Sequence, residues 1–204
     1  TEHPVVLLAK DFDNNNRIDP IMGQYNKGQL VPIHPRENLN LQINTFRKRF
    51  TNFKDYSSVL FDDLFSTDDK KGAIKKEVYE LNSCVAMNDG KGSFQLTPLP
   101  WQAQQSPVFS IIPEDYNHDG NIDLLLGGNF FANEAHQGRQ DASRGTILLG
   151  NGKGGFHPMA FEQSGLNFSG DIRTCLFFKS NGILQAFANS GKVQSYKLTN
   201  SYFK

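Results

Sequence analysis

The sequence predicts a mainly β protein built from repeated groups of short antiparallel strands, and three observations support this prediction. An acidic loop occurs twice in register, a Gly-Lys-Gly hairpin occurs twice in register, and turn-forming residues are frequent between apolar runs. The 204 residues include 18 glycines and 17 phenylalanines. Short apolar runs separated by Asn-Gly and Asp-Gly dipeptides are typical of strands joined by tight turns.

The acidic loops align a first and a second repeated unit. The segment "VVLLAKDFDNNNRIDPIMG" aligns with "VFSIIPEDYNHDGNIDLLLG", and four side chains that carry oxygen donors coincide. The aligned positions are Asp11, Asp13, Asn15 and Asp19 in the first unit, and Asp115, Asn117, Asp119 and Asp123 in the second. Because apolar residues flank each loop, we expect each loop to join two neighbouring strands.

The Gly-Lys-Gly hairpins align the same two units further along the chain. The segment "AMNDGKGSFQLTPL" at 86–99 aligns with "LLGNGKGGFHPMAF" at 148–161. Each unit therefore has the order strand, acidic loop, strand, insertion, strand, hairpin, strand. A third unit begins near Ile172, and its loop positions lack carboxylates because they fall on Phe177, Lys179, Asn181 and Gln185. We expect this third loop to bind no metal.

Tandem units of four short strands predict the blades of a β-propeller. A β-sandwich also uses many short strands, but it does not require the same loop at the same place in successive units. We therefore predict a partial β-propeller of about three four-stranded antiparallel blades. The whole chain, 1–204, is predicted to be one propeller segment. Its first blade spans 4–98 and contains a helical insertion at 34–81. Its second blade spans 106–162 and contains a loop insertion at 129–145, and its third, at 170–204, is incomplete.

A closed ring needs at least about four blades, so we expect this segment to be the C-terminal part of a larger ring. Its open strand edges would meet the remaining blades of the parent chain or a second copy of the segment.

The first insertion changes from strand alternation to helical spacing. Its apolar residues recur every three to four positions, which predicts two or three amphipathic helices. They are Leu39, Ile43, Phe46 and Phe50, followed by Tyr56, Val59, Leu60 and Leu64. The basic run at 47–49 is interpreted as a solvated helix face in preference to a nucleic-acid contact.

The oxygen donors of each acidic loop suit a calcium ion. Side chains at loop positions one, three, five and nine converge around a tight turn, and a backbone carbonyl at position seven completes a shell of the kind that Ca²⁺ takes. Position twelve carries Met22 or Leu126 in place of the bidentate glutamate of an EF-hand. Mg²⁺ is disfavoured because it retains its waters. The prediction is two Ca²⁺ sites, formed by Asp11, Asp13, Asn15, Arg17 and Asp19, and by Asp115, Asn117, Asp119, Asn121 and Asp123. Metal-free polar turns are the alternative.

The motifs "DFDNNNRID", "DYNHDGNIDLLLGG" and "LLGNGKGGF" resemble FG-GAP or VCBS repeats, the blades of the integrin α-subunit propeller. The order of helical insertion, "PLPWQAQQSPVFSIIPEDYNHDG" and "GRQDASRGTILLGNGKGGF" is similar to the C-terminal blades of bacterial VCBS-repeat proteins related to cartilage acidic protein. The resemblance implies an extracellular, cell-surface or periplasmic location and binding of a protein or glycan. Asn16 departs from the pattern, because the repeat usually has glycine there.

Ligand contacts are expected on the loops opposite the acidic loops, because binding residues concentrate on loops of rigid scaffolds. In a four-stranded blade, the insertions and the 98–107 segment lie at one end, and the acidic loops and hairpins lie at the other. The candidate ligand-binding residues are Trp101, Glu134, His136, Arg139, Asp141 and Arg144. The alternatives are a salt-bridge set that holds the loop shape and, for Trp101, packing against the next blade.

The remaining features of the sequence limit the possible functions. Lys plus Arg and Asp plus Glu are equal at 21 each, so no global charge favours nucleic acid. No apolar run is long enough for a membrane span. Cys84 and Cys175 are either free thiols or a disulfide. We expect a non-catalytic calcium-binding module; the alternative is a polysaccharide lyase or hydrolase, whose acid and base could come only from the loop containing Glu134 and His136.

Overall fold

The computed structural model describes residues 2–135 and 137–197. Within these residues the fold is mainly β, with two four-stranded sheets, one three-stranded sheet and one two-stranded sheet. All the strand pairs are antiparallel, which confirms the predicted fold class at this level, and the described residues contain no closed propeller. The chain divides into two compact units, Thr1–Leu81 and Asn82–Lys204.

The first unit contains a four-stranded sheet with the order β3-β2-β1-β4. Its strands are β1 at Val5–Lys10, β2 at Asp19–Asn26, β3 at Gln29–Pro32 and β4 at Ile74–Val78. Strand β2 buries alternate residues, Asp19, Ile21 and Gly23, as expected for a strand with one face on a core. Its buried first residue, Asp19, lies opposite Lys10 at the end of β1.

Short helices cover the buried face of this sheet. They are α1 at Arg36–Gln42, α2 at Phe46–Arg49, α3 at Phe53–Ser57 and a 3-10 turn at Phe61–Asp63. The apolar positions that predicted them form the core with the sheet, since Leu39, Ile43, Phe46, Phe50 and Leu64 are buried. The basic run at α2 is used within the unit, because Arg47 and Arg49 donate to backbone carbonyls.

Two strands of the first sheet differ from the prediction. β3 lies just before the expected helical insertion at 34–81, and β4 lies near the end of that insertion and pairs with β1. The hairpin at 84–98, expected beside β2, forms a separate two-stranded sheet instead. The reason lies in the Lys27-Gly28 turn, where both φ values are positive, at 49° and 80°. Such a two-residue turn matches the strand twist and folds β3 onto the edge of β2.

The second unit begins with the hairpin and continues with a four-stranded meander. The hairpin is β5 at Cys84–Asn88 and β6 at Phe94–Pro98, followed by a 3-10 turn at Trp101–Gln104. The meander has the order β10-β9-β8-β7. Its strands are β7 at Val108–Glu114, β8 at Asp123–Gly128, β9 at Thr146–Gly150 and β10 at Phe156–Pro158, and α4 at Phe161–Ser164 follows.

A three-stranded sheet completes the second unit. It consists of β11 at Ile172–Phe178, β12 at Ile183–Ala188 and β13 at Gln194–Lys197. Its core includes Leu125, Ile147, Leu166, Phe168 and Ile172, all nearly inaccessible to water. Cys175 lies in this core as a thiol whose pKa burial raises, and no disulfide joins it to Cys84.

The connection between β11 and β12 is shorter than predicted. Phe178 pairs with Ile183, so only the four residues 179–182 form the turn. Two residues assigned to a third loop, Phe177 and Gln185, therefore lie in the strands themselves. Asn181 closes the turn, because its side-chain oxygen accepts from the backbone N–H of Ile183 at 3.2 Å.

The two Gly-Lys-Gly turns have the same hydrogen bonds. Asp89 Oδ1 accepts from the backbone N–H of Lys91 at 2.7 Å and from that of the residue two positions further on, at 3.0 Å. Asn151 Oδ1 accepts from the backbone N–H of Lys153 at 2.8 Å and again from the residue two positions further on, at 3.0 Å. The sequence alignment of these hairpins thus corresponds to matched geometry. Among the described helices, none combines the length and the apolar character that crossing a bilayer requires.

Candidate functional site

The first acidic loop connects Lys10 of β1 to Asp19 of β2 and is closed by its own carboxylates. The two oxygens of Asp11 accept bonds from the backbone N–H groups of Asn15 at 3.0 Å and of Asn16 at 2.8 Å. Asp19 Oδ2 accepts from the backbone N–H of Phe12 at 2.9 Å. These bonds fold the loop back so that positions one and nine lie close together.

The second acidic loop has the same closing bonds. The oxygens of Asp115 accept from the N–H groups of Asp119 at 3.1 Å and of Gly120 at 2.9 Å. Asp123 Oδ2 accepts from the N–H of Tyr116 at 2.9 Å. Positions one and nine therefore have a structural role in both loops, independent of any bound ion.

Loop position three distinguishes the two loops. Asn117 in the second loop donates from Nδ2 to Asp119 Oδ2 at 2.9 Å and accepts from the N–H of Asp119 at 3.1 Å. Asp13 in the first loop carries a carboxylate in place of the amide, and its Oδ1 atom is shielded from water with no hydrogen-bond partner among the described residues. A buried acceptor without a donor costs about 1–3 kcal/mol. The first loop thus holds an unsatisfied oxygen where the second holds a satisfied amide.

The first loop also gathers three carboxylates. Asp11, Asp13 and Asp19 each offer an oxygen, and the three atoms lie within 4.8 Å of one another. Across 2–135 and 137–197, this is the one group of three or more acidic, histidine or cysteine side chains with such spacing. Like charges at this separation repel. A cation among them would remove the repulsion and would also satisfy the orphaned oxygen of Asp13.

The second loop uses its oxygens internally. Asp123 Oδ1 accepts a further bond from the N–H of Gly150 in β9, at 2.8 Å. Asp119 Oδ1 accepts from the N–H of Asn121 at 2.8 Å, and this backbone bond, together with the side chain of Asn117, holds the pKa of Asp119 below its usual value. The predicted donors are present, but their oxygens are already occupied by protein hydrogen bonds.

The predicted position-seven residues differ in their surroundings. Arg17 is exposed, and its backbone N–H donates to Asn15 Oδ1 at 2.8 Å. Asn121 lies against the second hairpin, since a Cβ on Gly152 would lie only 2.4 Å from its amide oxygen. The second acidic loop and the second hairpin are therefore neighbours in the second unit.

Trp101 and Arg144, two of the predicted ligand contacts, line one groove of about 370 Å³ in the second unit. Trp101 is 67% exposed, and Phe161, 52% exposed, lines the same groove. The Arg144 side chain is exposed and makes no ion pair or hydrogen bond with any described residue. No pattern in the sequence pointed to Phe161 or to Gln102, which also lines the groove.

The other predicted ligand contacts lie outside this groove. Asp141 lines a smaller pocket of about 110 Å³, which Arg144 also borders. The Arg139 guanidinium lies over the Phe131 ring, 4.9 Å from its centre. Glu134 lines neither pocket, and His136 lies outside the described residues. Within the described chain no ion pair joins Arg139, Asp141 and Arg144, so the salt-bridge alternative does not hold for these three.

Comparisons with protein-family models, with curated proteins and with solved structures find no significant match for this chain. The function is therefore inferred from the geometry of the acidic loops and of the groove.

Proposed function

We propose that this chain is a calcium-binding β-propeller segment that binds a protein or glycan without catalysis, outside the cytoplasm. The observation that supports it best is the buried, unpartnered Oδ1 of Asp13 inside a group of three carboxylates. The matched hydrogen bonds of the two acidic loops and of the two hairpins support the blade assignment, as does the four-stranded meander β7–β10. The location and the binding role come from the resemblance to FG-GAP and VCBS repeats.

The first loop fits a hard cation. Its donors are all oxygens, which Ca²⁺ and Mg²⁺ prefer, and the larger, more flexible shell of Ca²⁺ suits donors spread over nine residues. Asp11, Asp13 and Asp19 would hold the ion through carboxylates, Asn15 through its amide oxygen and Arg17 through its backbone carbonyl. The ion would supply positive charge among the three carboxylates, whose oxygens lie within 4.8 Å of one another.

The second loop would form a weaker site. Its carboxylates accept more protein hydrogen bonds than those of the first loop, because Asp119 also accepts from the N–H of Asn121 and Asp123 also accepts from that of Gly150. Replacing these bonds offsets part of the binding free energy. We therefore propose two Ca²⁺ sites of unequal affinity, with the first loop binding more tightly.

A reciprocal exchange at position three tests this proposal. Asp13→Asn gives the first loop the residue of the second, and Asn117→Asp does the reverse. Calorimetric titration with Ca²⁺ in a metal-free buffer should show that Asp13→Asn weakens the tighter site by at least about tenfold, ~1.4 kcal/mol, because one charge is lost. Asn117→Asp should strengthen the weaker site.

Asp141→Asn is the control, because it removes an exposed carboxylate far along the sequence from either loop. It should leave both affinities unchanged. An Asp13→Asn titration identical to that of the unmodified protein would refute the assignment of the first loop.

A further inference from the structure

The groove lined by Trp101 and Arg144 presents unusual exposed surface. Trp101 and Phe161 are 67% and 52% exposed although each carries a large aromatic ring. Aromatic side chains contribute most when buried, and clustered exposed ones in a concavity mark binding sites. The volume of about 370 Å³ falls in the range of small-molecule sites. The groove therefore offers a flat apolar surface to a ligand.

Two polar side chains of the groove, Arg144 and Gln102, have groups that are not used within the described part of the protein. Arg144 has no described partner for its guanidinium, and only its backbone carbonyl is engaged, with the N–H of Phe168 at 2.8 Å. Gln102 has an amide oxygen that is shielded from water and has no described partner. This oxygen is therefore an acceptor that a ligand hydroxyl can satisfy.

The charge of the groove selects an anion. Its lining includes one cation, Arg144, and no aspartate or glutamate. Arginine suits carboxylates and sulfates because its planar group donates two parallel bonds. The remaining polar lining consists of amides and hydroxyls, from Gln102, Gln105, Thr146 and Ser164. A ligand that fits has a flat apolar face, several hydroxyls and one anionic group.

From these features we infer that the groove binds an acidic saccharide unit, with its C–H face on the Trp101 ring and its anionic group on Arg144. The electron-rich face of the indole attracts the slightly positive C–H groups of a sugar ring. The amide of Gln102 bonds the ring hydroxyls. This inference rests on the ligand-binding part of the proposed function and is independent of the calcium loops.

The test compares matched ligands and matched variants. Oligomers of galacturonic acid are titrated against the folded chain, together with the same oligomers as methyl esters and a heparin-derived oligosaccharide. Galacturonate should bind more tightly than its ester by about tenfold, since only the acid pairs with arginine. Comparison with the heparin fragment decides whether the anion is carboxylate or sulfate.

Two variants change the groove and two serve as controls. Trp101→Ala should weaken binding of acid and ester alike by at least about tenfold. Arg144→Gln should remove the preference for the acid and leave ester binding unchanged. Phe94→Ala removes an exposed aromatic outside the groove, and Arg139→Gln removes a cation outside it, and both should bind as the parent does.

The titrations are repeated with chelator to separate this inference from the calcium proposal. Acid binding should persist, because no predicted calcium ligand lines the groove. Absence of saccharide binding in a protein that still takes up calcium would overturn the inference alone. Equal binding of acid and ester, or an unchanged preference in Arg144→Gln, would also overturn it.

Discussion

At the scale of single residues, Asp13 and Asn117 show how one atom changes the chemistry of a loop. Both occupy position three of loops whose backbones are closed by matching bonds. The amide satisfies itself by donating to Asp119, whereas the carboxylate of Asp13 leaves a buried oxygen without a partner. An aspartate in this setting is explained by a positive partner, which is why the first loop carries the calcium proposal.

Position six differs between the loops in another way. Asn16 has a φ of 65° and its counterpart Gly120 a φ of 87°, so both lie in the left-handed region. Asparagine is tolerated there and most other residues are not. The departure of Asn16 from the usual glycine is therefore compatible with the loop.

We expect Gly120→Ala to lower the free energy of unfolding by about 1–2 kcal/mol, through backbone strain alone. A Cβ at Gly120 would meet no atom within 4 Å, so no clash contributes. Urea denaturation measures the change. The matched exchange Asn16→Gly should alter stability by less than about 0.5 kcal/mol, since relief of strain is offset by greater freedom of the unfolded chain. A Gly120→Ala protein as stable as the parent would contradict this account.

At the scale of elements, the hairpin turns repeat more faithfully than the sheets that surround them. Asp89 and Asn151 each accept two backbone bonds through one side-chain oxygen. The neighbouring strands differ, because β9 pairs with β8 whereas β5 pairs only with β6. The hydrogen bonds of a turn are thus determined by the residues of that turn. The pairing partner of a strand depends instead on which other strand occupies the neighbouring sheet edge.

The hairpin bonds yield a paired prediction. Asp89→Asn should leave the free energy of unfolding within about 0.5 kcal/mol of the parent, because Asn151 already makes the same bonds with an amide oxygen. Asn151→Ala removes both bonds and should lower it by about 1–2 kcal/mol. Thermal and urea unfolding of the two variants measure the difference. A loss in Asp89→Asn as large as that in Asn151→Ala would contradict this account, because it would show that the charge of Asp89 contributes beyond its acceptor oxygen.

At the scale of the whole molecule, each unit has its own hydrophobic core. Phe46 and Phe61 belong to the core of the first unit, and Leu125 and Ile147 to that of the second. The proposed tighter calcium site lies wholly in the first unit, between β1 and β2. A ligand that binds only the folded form stabilises it by about 2.7 kcal/mol at a hundredfold excess over its dissociation constant.

Calcium should therefore slow amide hydrogen exchange most strongly in β1, β2 and the loop between them. Exchange followed by peptide-level mass spectrometry, with calcium and with chelator, measures this effect. In Asp13→Asn the added protection should shrink in these strands and remain in the loop at 115–123, which the variant does not alter. Protection spread evenly over both units would argue against a localised site.

The sequence predicted an acidic loop between two strands in each unit, and the loop between β1 and β2 gathers three carboxylates. It also placed Trp101 and Arg144 among the ligand contacts, and they share a groove. Strand β3 was not predicted from the sequence, because the Lys27-Gly28 turn comes just before a region with helical spacing. The sequence could not reveal the orphaned oxygen of Asp13 or the position of Phe161, because these depend on packing at the scale of atoms.

The four-residue turn between β11 and β12 sets a limit on how this chain can change through mutation. The two acidic loops differ at position three by an exchange that one nucleotide can make, so metal affinity there can drift up or down in small steps. The third turn, at 179–182, has half the residues that lie between Lys10 and Asp19, and no single substitution supplies the missing backbone. A loop as long as the acidic loops could arise between β11 and β12 only through an insertion.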